Sequence, residues 1–112
     1  MPKASDFIVV ITNLPDESSA RSLAESLVTA RLAACVNILA PCRSIYRWNG
    51  AVETTTEIPV LIKAPRDAYA ALESAIVAGH PYELPEIIAL PLTEGLPAYL
   101  GWVRGETGSA GN

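Results

Sequence analysis

Hydrophobic and polar positions follow two different periods in the first third of the chain. Residues 7–11 form a continuous, mostly β-branched apolar run, which is typical of a buried strand. From Ala20 the apolar positions recur every three or four residues, and Asp16 and Glu17 precede them where the helix dipole favours negative charge. The pattern therefore predicts a strand followed by an amphipathic helix of about 16 residues.

A long hairpin is predicted next, because Asn49-Gly50 is a strong signal for a tight type I′ turn. The strands predicted around this turn cover residues 34–40, 43–48 and 51–64. Pro41 and Pro59 lie at similar distances from the turn, and each removes a backbone hydrogen-bond donor from its strand. We therefore expect a base that joins the main sheet and a distal two-stranded ribbon, residues 42–57.

Proline, glycine and polar residues bound the remaining elements. Asp67 is placed to cap a second helix, and Gly79 is placed just after its last turn. The elements predicted beyond this helix are a loop at 80–85, a strand at 86–92 and a helix at 97–104. Together the elements predict a single domain, 1–112, with a packed core over about 7–104 and a mobile tail at 105–112.

The order β-α-β-β-α-β predicts an α+β fold of the ferredoxin-like split βαβ type, with a long hairpin between its second and third strands and a short C-terminal helix. In this fold both main helices cover one face of the sheet. Strands with a solvent-exposed face alternate apolar and polar residues, whereas residues 7–11, 60–62 and 87–90 are apolar at every position. We therefore expect other copies of the chain to bury the second face in a homo-oligomer. The alternative is a monomer whose terminal helix folds over that face.

The length of the ribbon supports the same expectation. Each limb reaches about 25 Å, whereas a domain of this size has a radius of gyration of about 13 Å. Because isolated two-stranded ribbons are marginally stable in water, another subunit should support this one. Tyr46 and Trp48 share one side of the ribbon, and we interpret them as interface anchors rather than as a ligand cage.

Composition and charge narrow the possible functions. The 112 residues are 50% hydrophobic and 18% charged, with a net charge of −4 and scattered basic residues, so a nucleic-acid backbone would be repelled. No run is long enough for a membrane span or a signal peptide, so we expect a cytosolic protein that binds neither nucleic acid nor membrane. Cys35 and Cys42 match no disulfide or zinc pattern and are interpreted as reduced side chains.

Residues that could carry out catalysis are sparse. His80 is the only histidine and has no nucleophile near it in sequence, and no glycine-rich turn follows the first strand. Catalytic triads and nucleotide-binding loops are therefore not indicated. A hydrolase that used Glu57 or Glu86 as its base would lack an apparent partner group. We predict no enzymatic activity and no required cofactor.

A metal site is the remaining candidate chemistry. His80, Glu83 and Glu86 offer one imidazole and two carboxylates within seven residues, a set acceptable to Cu²⁺ and other divalent cations but too common to be specific. The alternative is that His80 ends the second helix while the acids face water. Three charged residues also share alternate positions of the returning strand: Glu53, Glu57 and Lys63. They form either an ion pair or small polar pocket enclosed by a partner, or a solvated edge.

Four blocks of sequence together identify a family. They are Val-Val-Ile-Thr-Asn-Leu-Pro-Asp-Glu, Arg-Leu-Ala-Ala-Cys-Val-Asn-Ile, Ile-Tyr-Arg-Trp-Asn-Gly with the following Glu53, and His-Pro-Tyr-Glu-Leu-Pro-Glu-Ile. In this order and spacing the chain resembles the CutA family of divalent-cation tolerance proteins over about residues 7–104. The resemblance implies a ferredoxin-like subunit in a cytosolic homotrimer, no established reaction, and an architecture similar to that of the PII signalling proteins.

The copper site that the resemblance implies is only partly present. Family members discussed as copper binders have a cysteine near the end of the first strand and two consecutive histidines before Pro-Tyr. This chain has Thr12 and Gly79-His80 at those positions. Only His80 is kept, so we expect any binding of Cu²⁺ or another divalent cation to be modest.

Two hypotheses of function follow from the residues and the resemblance. The first is a homotrimeric protein of the metal-ion response, with clefts near Trp48, Tyr82 and Glu86 at the ribbon interfaces. The alternative is a PII-like regulatory module that binds a small ligand or a partner protein between subunits. A metal-dependent shift in melting temperature favours the first hypothesis, and a shift with nucleotides or other small anions favours the second.

The predicted oligomer can be tested by size-exclusion chromatography with light scattering. Because the apolar second face of the sheet needs a cover, we expect a species with the mass of several chains, and of three if the resemblance holds. A folded species with the mass of a single chain at micromolar concentration would contradict the prediction.

Overall fold

The computed structural model describes residues 2–108, which form a five-stranded sheet and three α-helices. The strands are β1 (Phe7–Leu14), β2 (Cys35–Ile38), β3 (Cys42–Trp48), β4 (Ala51–Pro65) and β5 (Ile88–Pro91). The helices are α1 (Glu17–Thr29), α2 (Tyr69–Gly79) and α3 (Pro97–Gly105), with 3₁₀ turns at Ala4–Asp6 and Arg66–Ala68. Every predicted strand and helix is present, and β1 continues beyond its predicted end at residue 11.

The main sheet has the strand order β2-β4-β1-β5, and its neighbouring strands are antiparallel. β3 lies off this path and pairs with the distal half of β4. Residues 39–41 separate β2 from β3, as the two predicted strands on either side of Pro41 indicate. The predicted α+β fold of the ferredoxin-like type is confirmed.

The main hydrophobic core lies between one face of the sheet and the helices α1 and α2. Its largest contributors from the strands are Ile8, Val10, Leu14, Ile58, Val60 and Ile62, and those from the helices are Leu23, Leu27, Leu72 and Ile76. The strand residues occupy every second position, so they all point to the same face. The Asp16 carboxylate accepts a hydrogen bond from the Ser19 N–H at 2.7 Å and so caps α1, which has 13 residues where about 16 were predicted.

The opposite face of the sheet is only partly covered. At one end Phe7 is buried with Leu100 and Val103 of α3. At the edge of this face formed by β5, Ile88 and Leu90 are 50% and 48% exposed. The prediction of a sheet that is apolar on both faces is confirmed, and the terminal helix covers only the end near Phe7. Burial of the rest by other copies of the chain stays a prediction.

The ribbon projects from the body as predicted. Its register runs from the pair Cys42 and Glu57 to the pair Trp48 and Ala51. Asn49 and Gly50 have φ angles of 49° and 80°, which are the positive values that a type I′ turn requires. The molecule is 48 Å long and only 27 Å and 24 Å across. The ribbon therefore holds its apolar side chains beyond the reach of its own core.

Two predicted helix-end roles are wrong. Asp67 lies in the 3₁₀ turn before α2 and does not cap that helix; its carboxylate accepts hydrogen bonds from Arg104 at 3.1 and 3.2 Å. Gly79 is the last residue of α2 rather than the residue after it. The Leu23 side chain lies 3.3 Å from where a Cβ atom would stand at Gly79, so a larger residue would have to displace it slightly.

The packed chain continues past the predicted boundary at residue 104. The Arg31 side chain donates hydrogen bonds to the carbonyl oxygens of Gly105 and Gly108, at 3.0 and 2.9 Å. The Gly108 N–H donates in return to the Arg31 carbonyl oxygen at 3.0 Å. Residues 105–108 therefore belong to the body, and the rest of the predicted mobile tail, 109–112, lies outside the described residues.

The two cysteines lie far apart along the β4 ladder. Cys35 is opposite Lys63, and Cys42 is opposite Glu57. Those β4 positions are six residues apart, which is about 20 Å of extended strand. A disulfide needs Cα atoms within about 7 Å. The two thiols of one chain therefore cannot form a bond, in agreement with the prediction that they are reduced.

Thr12 generates a prediction for stability. Its side chain is fully buried on the helix-covered face of β1, and its hydroxyl is without a hydrogen-bond partner among residues 2–108. A buried hydroxyl without a partner costs about 1 kcal/mol or more. Thr12→Val keeps the β-branched shape and removes the hydroxyl, so we expect the free energy of unfolding to rise by about 1 kcal/mol.

Denaturant unfolding at neutral pH measures this change. Thr12→Ser is the matched control, because it keeps the hydroxyl and removes the methyl group, and it should lower the stability. A stability loss in Thr12→Val would show that the hydroxyl has a partner.

Candidate functional site

A cavity of about 740 Å³ lies between the ribbon and the loop that follows α2. It is lined by Asn13 of β1, by Ser44, Ile45, Tyr46, Trp48, Glu53 and Glu57 of the ribbon, and by Pro81, Tyr82, Glu83, Leu84 and Glu86 of the loop. Six of the seven residues that the sequence predicts for an interface or ligand cleft lie here. Lys63 is the exception.

The register of the ribbon brings the aromatic and acidic residues to one face. Tyr46 of β3 lies directly opposite Glu53 of β4, and Trp48 lies opposite Ala51. Residues that are opposite in an antiparallel pair point to the same side. The sequence had grouped Tyr46 and Trp48 separately from Glu53 and Glu57, because strand parity alone does not say how two strands align. The register joins the two groups in one cavity wall.

Glu57 is the most buried charged group of the cavity. It is only 8% exposed, and its Oε2 atom accepts a hydrogen bond from the Tyr82 hydroxyl at 2.9 Å. The bond joins the root of the ribbon to the loop after α2. A buried carboxylate needs compensation by hydrogen bonds or by positive charge. Tyr82 supplies one such bond, and no Lys or Arg lines the cavity.

His80 positions this loop through both of its ring nitrogens. Nε2 lies 2.8 Å from the carbonyl oxygen of Asn13, and Nδ1 lies 3.2 Å from the N–H of Tyr82. Because the carbonyl can only accept and the N–H can only donate, the tautomer that satisfies both contacts is the one that carries its proton on Nε2. The His80 and Tyr82 rings also pack together, with centroids 4.9 Å apart. His80 therefore orients Tyr82 toward Glu57.

Asn13 is a cavity residue that the sequence reasoning missed. Its side-chain N–H donates a hydrogen bond to Glu86 Oε1 at 3.1 Å, which fixes the far side of the loop. The predicted strand ended at residue 11, whereas β1 continues to Leu14. Extension of the alternating pattern by one more step would have placed Asn13 on the face opposite the main helices, next to the ribbon.

The cavity is strongly acidic. The carboxylates that line it are Glu53, Glu57, Glu83 and Glu86. The sequence groups Lys63 with Glu53 and Glu57. Lys63 lies six residues beyond Glu57 along β4 and donates a hydrogen bond to the Asn37 side chain. Among residues 2–108, the one ion pair joins Arg104 and Asp67 on the other side of the molecule. Within residues 2–108 Lys63 forms no ion pair with a glutamate, and the ion pair or small polar pocket expected where a partner encloses this face stays a prediction.

The same geometry limits how tightly the chain can hold a metal ion. In the described part of the chain, no three His, Cys, Asp or Glu side chains come close enough to share one ion. An ion on His80 Nδ1 would break the hydrogen bond from Tyr82, and one on Nε2 would break the bond to Asn13. Thr12 points into the core on the helix-covered face. The residues present do not fit a tight divalent-metal site.

Comparison with known proteins gives consistent matches. Residues 8–106 match the family described as CutA1 divalent ion tolerance protein. The divalent-cation tolerance protein CutA of Thermus thermophilus is 47% identical over 100 residues, which cover 89% of this chain and 97% of that protein. The crystal structure of CutA from Xylella fastidiosa superposes with a TM-score of 0.90 at 43% identity, covering 93% and 100% of the two chains. A structure of the periplasmic divalent cation tolerance protein CutA from Archaeoglobus fulgidus superposes with a TM-score of 0.87 at 31% identity, covering 89% and 97%.

The bond between Tyr82 and Glu57 generates a prediction for pH dependence. The pKa of Tyr82 is raised from 10.0 to about 12. Burial is the larger cause, and the hydrogen bond to Glu57 is the next. The folded state therefore holds this proton more tightly than the unfolded state does. The resulting stabilisation is complete below pH 10 and is lost as the pH rises through 12. Tyr82→Phe should remove this part of the alkaline loss of stability.

Urea unfolding at a series of alkaline pH values measures the effect. Tyr69→Phe is the comparison variant, because Tyr69 is half-buried and the hydrogen bond that it donates to Glu73 also raises its pKa, but less than that of Tyr82, so this variant should change the alkaline slope less. Equal alkaline slopes for wild type and Tyr82→Phe would show that the Tyr82 phenol is not held in its neutral form by the fold.

Proposed function

This chain belongs to the CutA1 family of divalent ion tolerance proteins, and on that premise we propose that it acts, without catalysis, in the response of the cell to divalent metal ions. The observation that carries the proposal is the family match, which spans residues 8–106. The relatives are named for tolerance of divalent cations and not for a reaction.

The site supports a role other than catalysis. Both ring nitrogens of His80 contact backbone groups, so the ring does not activate a serine or cysteine. Glu57 is hydrogen-bonded to Tyr82 and Glu86 to Asn13, so the two glutamates considered as bases each hold a loop in place. General base catalysis needs a base that faces the group it deprotonates. These contacts suit positioning of the cavity walls.

We propose that direct binding of Cu²⁺ or another divalent cation is weak. His80 is the only residue kept from the copper site of the family, and it would have to give up a hydrogen bond before either nitrogen could bind an ion. The first position of that site is Thr12, which is buried and points away from solvent. A single available ligand gives little affinity.

We propose that the functional unit is a homotrimer. Ile88 and Leu90 leave an apolar surface on the open face of the sheet, and the ribbon presents Ile45 and Val52 at 70% and 67% exposure. Exposed apolar surface of this extent is typical of an interface. Tyr46 and Trp48 would then stand where a neighbouring subunit can close the cavity. The number of three subunits rests on the family resemblance.

A second candidate function is that of a regulatory module, similar to PII proteins, that binds a small ligand. The observation that favours it is the cavity itself, whose 740 Å³ lies within the range of about 300–1,000 Å³ typical of small-molecule sites. Its four carboxylates argue against nucleotides and other anions as the ligand. The expectation of an anionic ligand from the sequence is therefore not supported by the charge of the cavity.

The cytosolic location stays a prediction. No helix in residues 2–108 combines the length and the apolar character needed to cross a bilayer. A relative from Archaeoglobus fulgidus is described as periplasmic, so members of the family are assigned to more than one compartment.

Growth in the presence of metal ions tests the metal response. We expect cells that lack the chain to be more sensitive to added Cu²⁺ than cells that produce it. In the same experiment His80→Ala should lower the protection, because this change removes the retained ligand and frees the loop. Equal growth with and without the chain over all Cu²⁺ concentrations would contradict the proposed role.

Calorimetric titration of the metal-free protein with Cu²⁺ tests the binding. We expect affinity weaker than about 1 µM, because only one imidazole is available. Tyr82→Phe is the control, since it leaves the imidazole in place. Sub-micromolar binding that persists in His80→Ala would place the metal at a different site.

A further inference from the structure

The buried Glu57 carboxylate has no positively charged partner in the described chain. It is 8% exposed, it receives one hydrogen bond from Tyr82, and it stands at the base of the acidic cavity. Removing a carboxylate from water is costly unless opposite charge or several hydrogen bonds replace the water. A cation that enters the cavity would supply the missing charge. We propose that this cavity binds a small organic cation that carries one or more ammonium groups.

The charges around the cavity support a cationic ligand. Glu53, Glu83 and Glu86 line the same cavity as Glu57 and are exposed to solvent, and no Lys or Arg is among the lining residues. Carboxylates that line one concave surface concentrate cations there. The same field repels phosphates and carboxylic acids. The ligand of the proposed regulatory module, on which this inference rests, should therefore be positively charged.

The aromatic residues of the cavity support an organic ligand. Trp48 and Tyr46 lie along one face of the ribbon, and Tyr82 faces them from the loop. The Tyr46 hydroxyl is hydrogen-bonded to Thr55 at 2.8 Å, and that of Tyr82 to Glu57, so both rings are held in place. Ammonium groups bind favourably over such rings, and methylene groups pack against them. Carboxylates together with aromatic walls are the combination that an alkylammonium ion requires.

A bare metal ion is a poorer fit to the same cavity. The carboxylates do not converge, since no three acidic or imidazole side chains in residues 2–108 form a metal-binding group. A space of about 740 Å³ is also far larger than an ion needs. A linear diammonium ion can place one charge at Glu57 and the other near the carboxylates at the rim. Carboxylates that lie apart in the cavity can each bind one of the two ammonium groups.

The test uses fluorescence of Trp48 in the full chain. Trp102 lies on α3 beside Tyr99, so Trp102→Phe leaves Trp48 as the only tryptophan and a local reporter. The probe is cadaverine, a linear diammonium ion at neutral pH, and its uncharged counterpart is pentanediol. Sodium chloride keeps the ionic strength constant throughout. We expect a saturable change in Trp48 emission with cadaverine and none with pentanediol.

Charge-removing variants locate the binding. Glu57→Gln should weaken cadaverine binding at least tenfold, because Gln keeps the shape and the acceptor for Tyr82 but not the charge. Glu53 is exposed at the rim, so Glu53→Gln leaves the fold intact and should weaken binding by a smaller factor. The matched control is Glu25→Gln on the exposed face of α1, which removes one charge far from the cavity and should leave binding unchanged.

Several outcomes would overturn the inference. The first two are equal responses to pentanediol and cadaverine, and equal weakening of cadaverine binding by Glu25→Gln and by the two cavity variants. The others are no response to cadaverine, as when a neighbouring subunit fills the cavity, and a response to divalent metal ions alone. A response to a nucleotide instead of cadaverine would overturn the inference and leave the regulatory module standing. None of these results alters the growth experiment, so the metal response is judged separately.

Discussion

The antiparallel register of β4 is the constraint on which the other features depend. Its base pairs with β1 and β2, and its distal half pairs with β3, so one strand belongs to both the sheet and the ribbon. A slip of one residue would turn Ile58, Val60 and Ile62 out of the core. The same slip would turn Glu53 and Glu57 out of the cavity. Burial of the core thus fixes the direction in which the acidic side chains point.

The cavity depends in turn on a short chain of hydrogen bonds. His80 binds the end of β1 through Nε2 and the backbone of Tyr82 through Nδ1, and Tyr82 then binds Glu57. Each ring nitrogen offers either one donor or one acceptor, so the orientation of the loop depends on the tautomer of this ring. A residue that the sequence suggests as a metal ligand therefore serves to position the cavity.

The sequence predicted much of the fold because its signals are local. Three local patterns each predict an element that the structure contains: the apolar run at 7–11 a strand, the helical spacing after Ala20 a helix, and Asn49-Gly50 a tight turn. Predictions failed where a partner distant in sequence decides the role of a residue. Asp67 binds Arg104 instead of capping α2, and Gly79 makes room for Leu23. Arg31 similarly holds residues 105–108 against the body.

For the site, the sequence by itself determined the composition: acidic and aromatic residues in the ribbon, a lone histidine, and a loop bounded by prolines. It also determined that the sheet is apolar on both faces, because the lack of apolar–polar alternation is visible within a single strand. Only the tertiary structure decided that Tyr46 and Glu53 share a wall, that Lys63 is excluded from it, and that Asn13 belongs to it. The physical reason is that strand pairing and loop contacts join residues far apart in the chain, and their alignment is set by burial of the whole core rather than by any local preference.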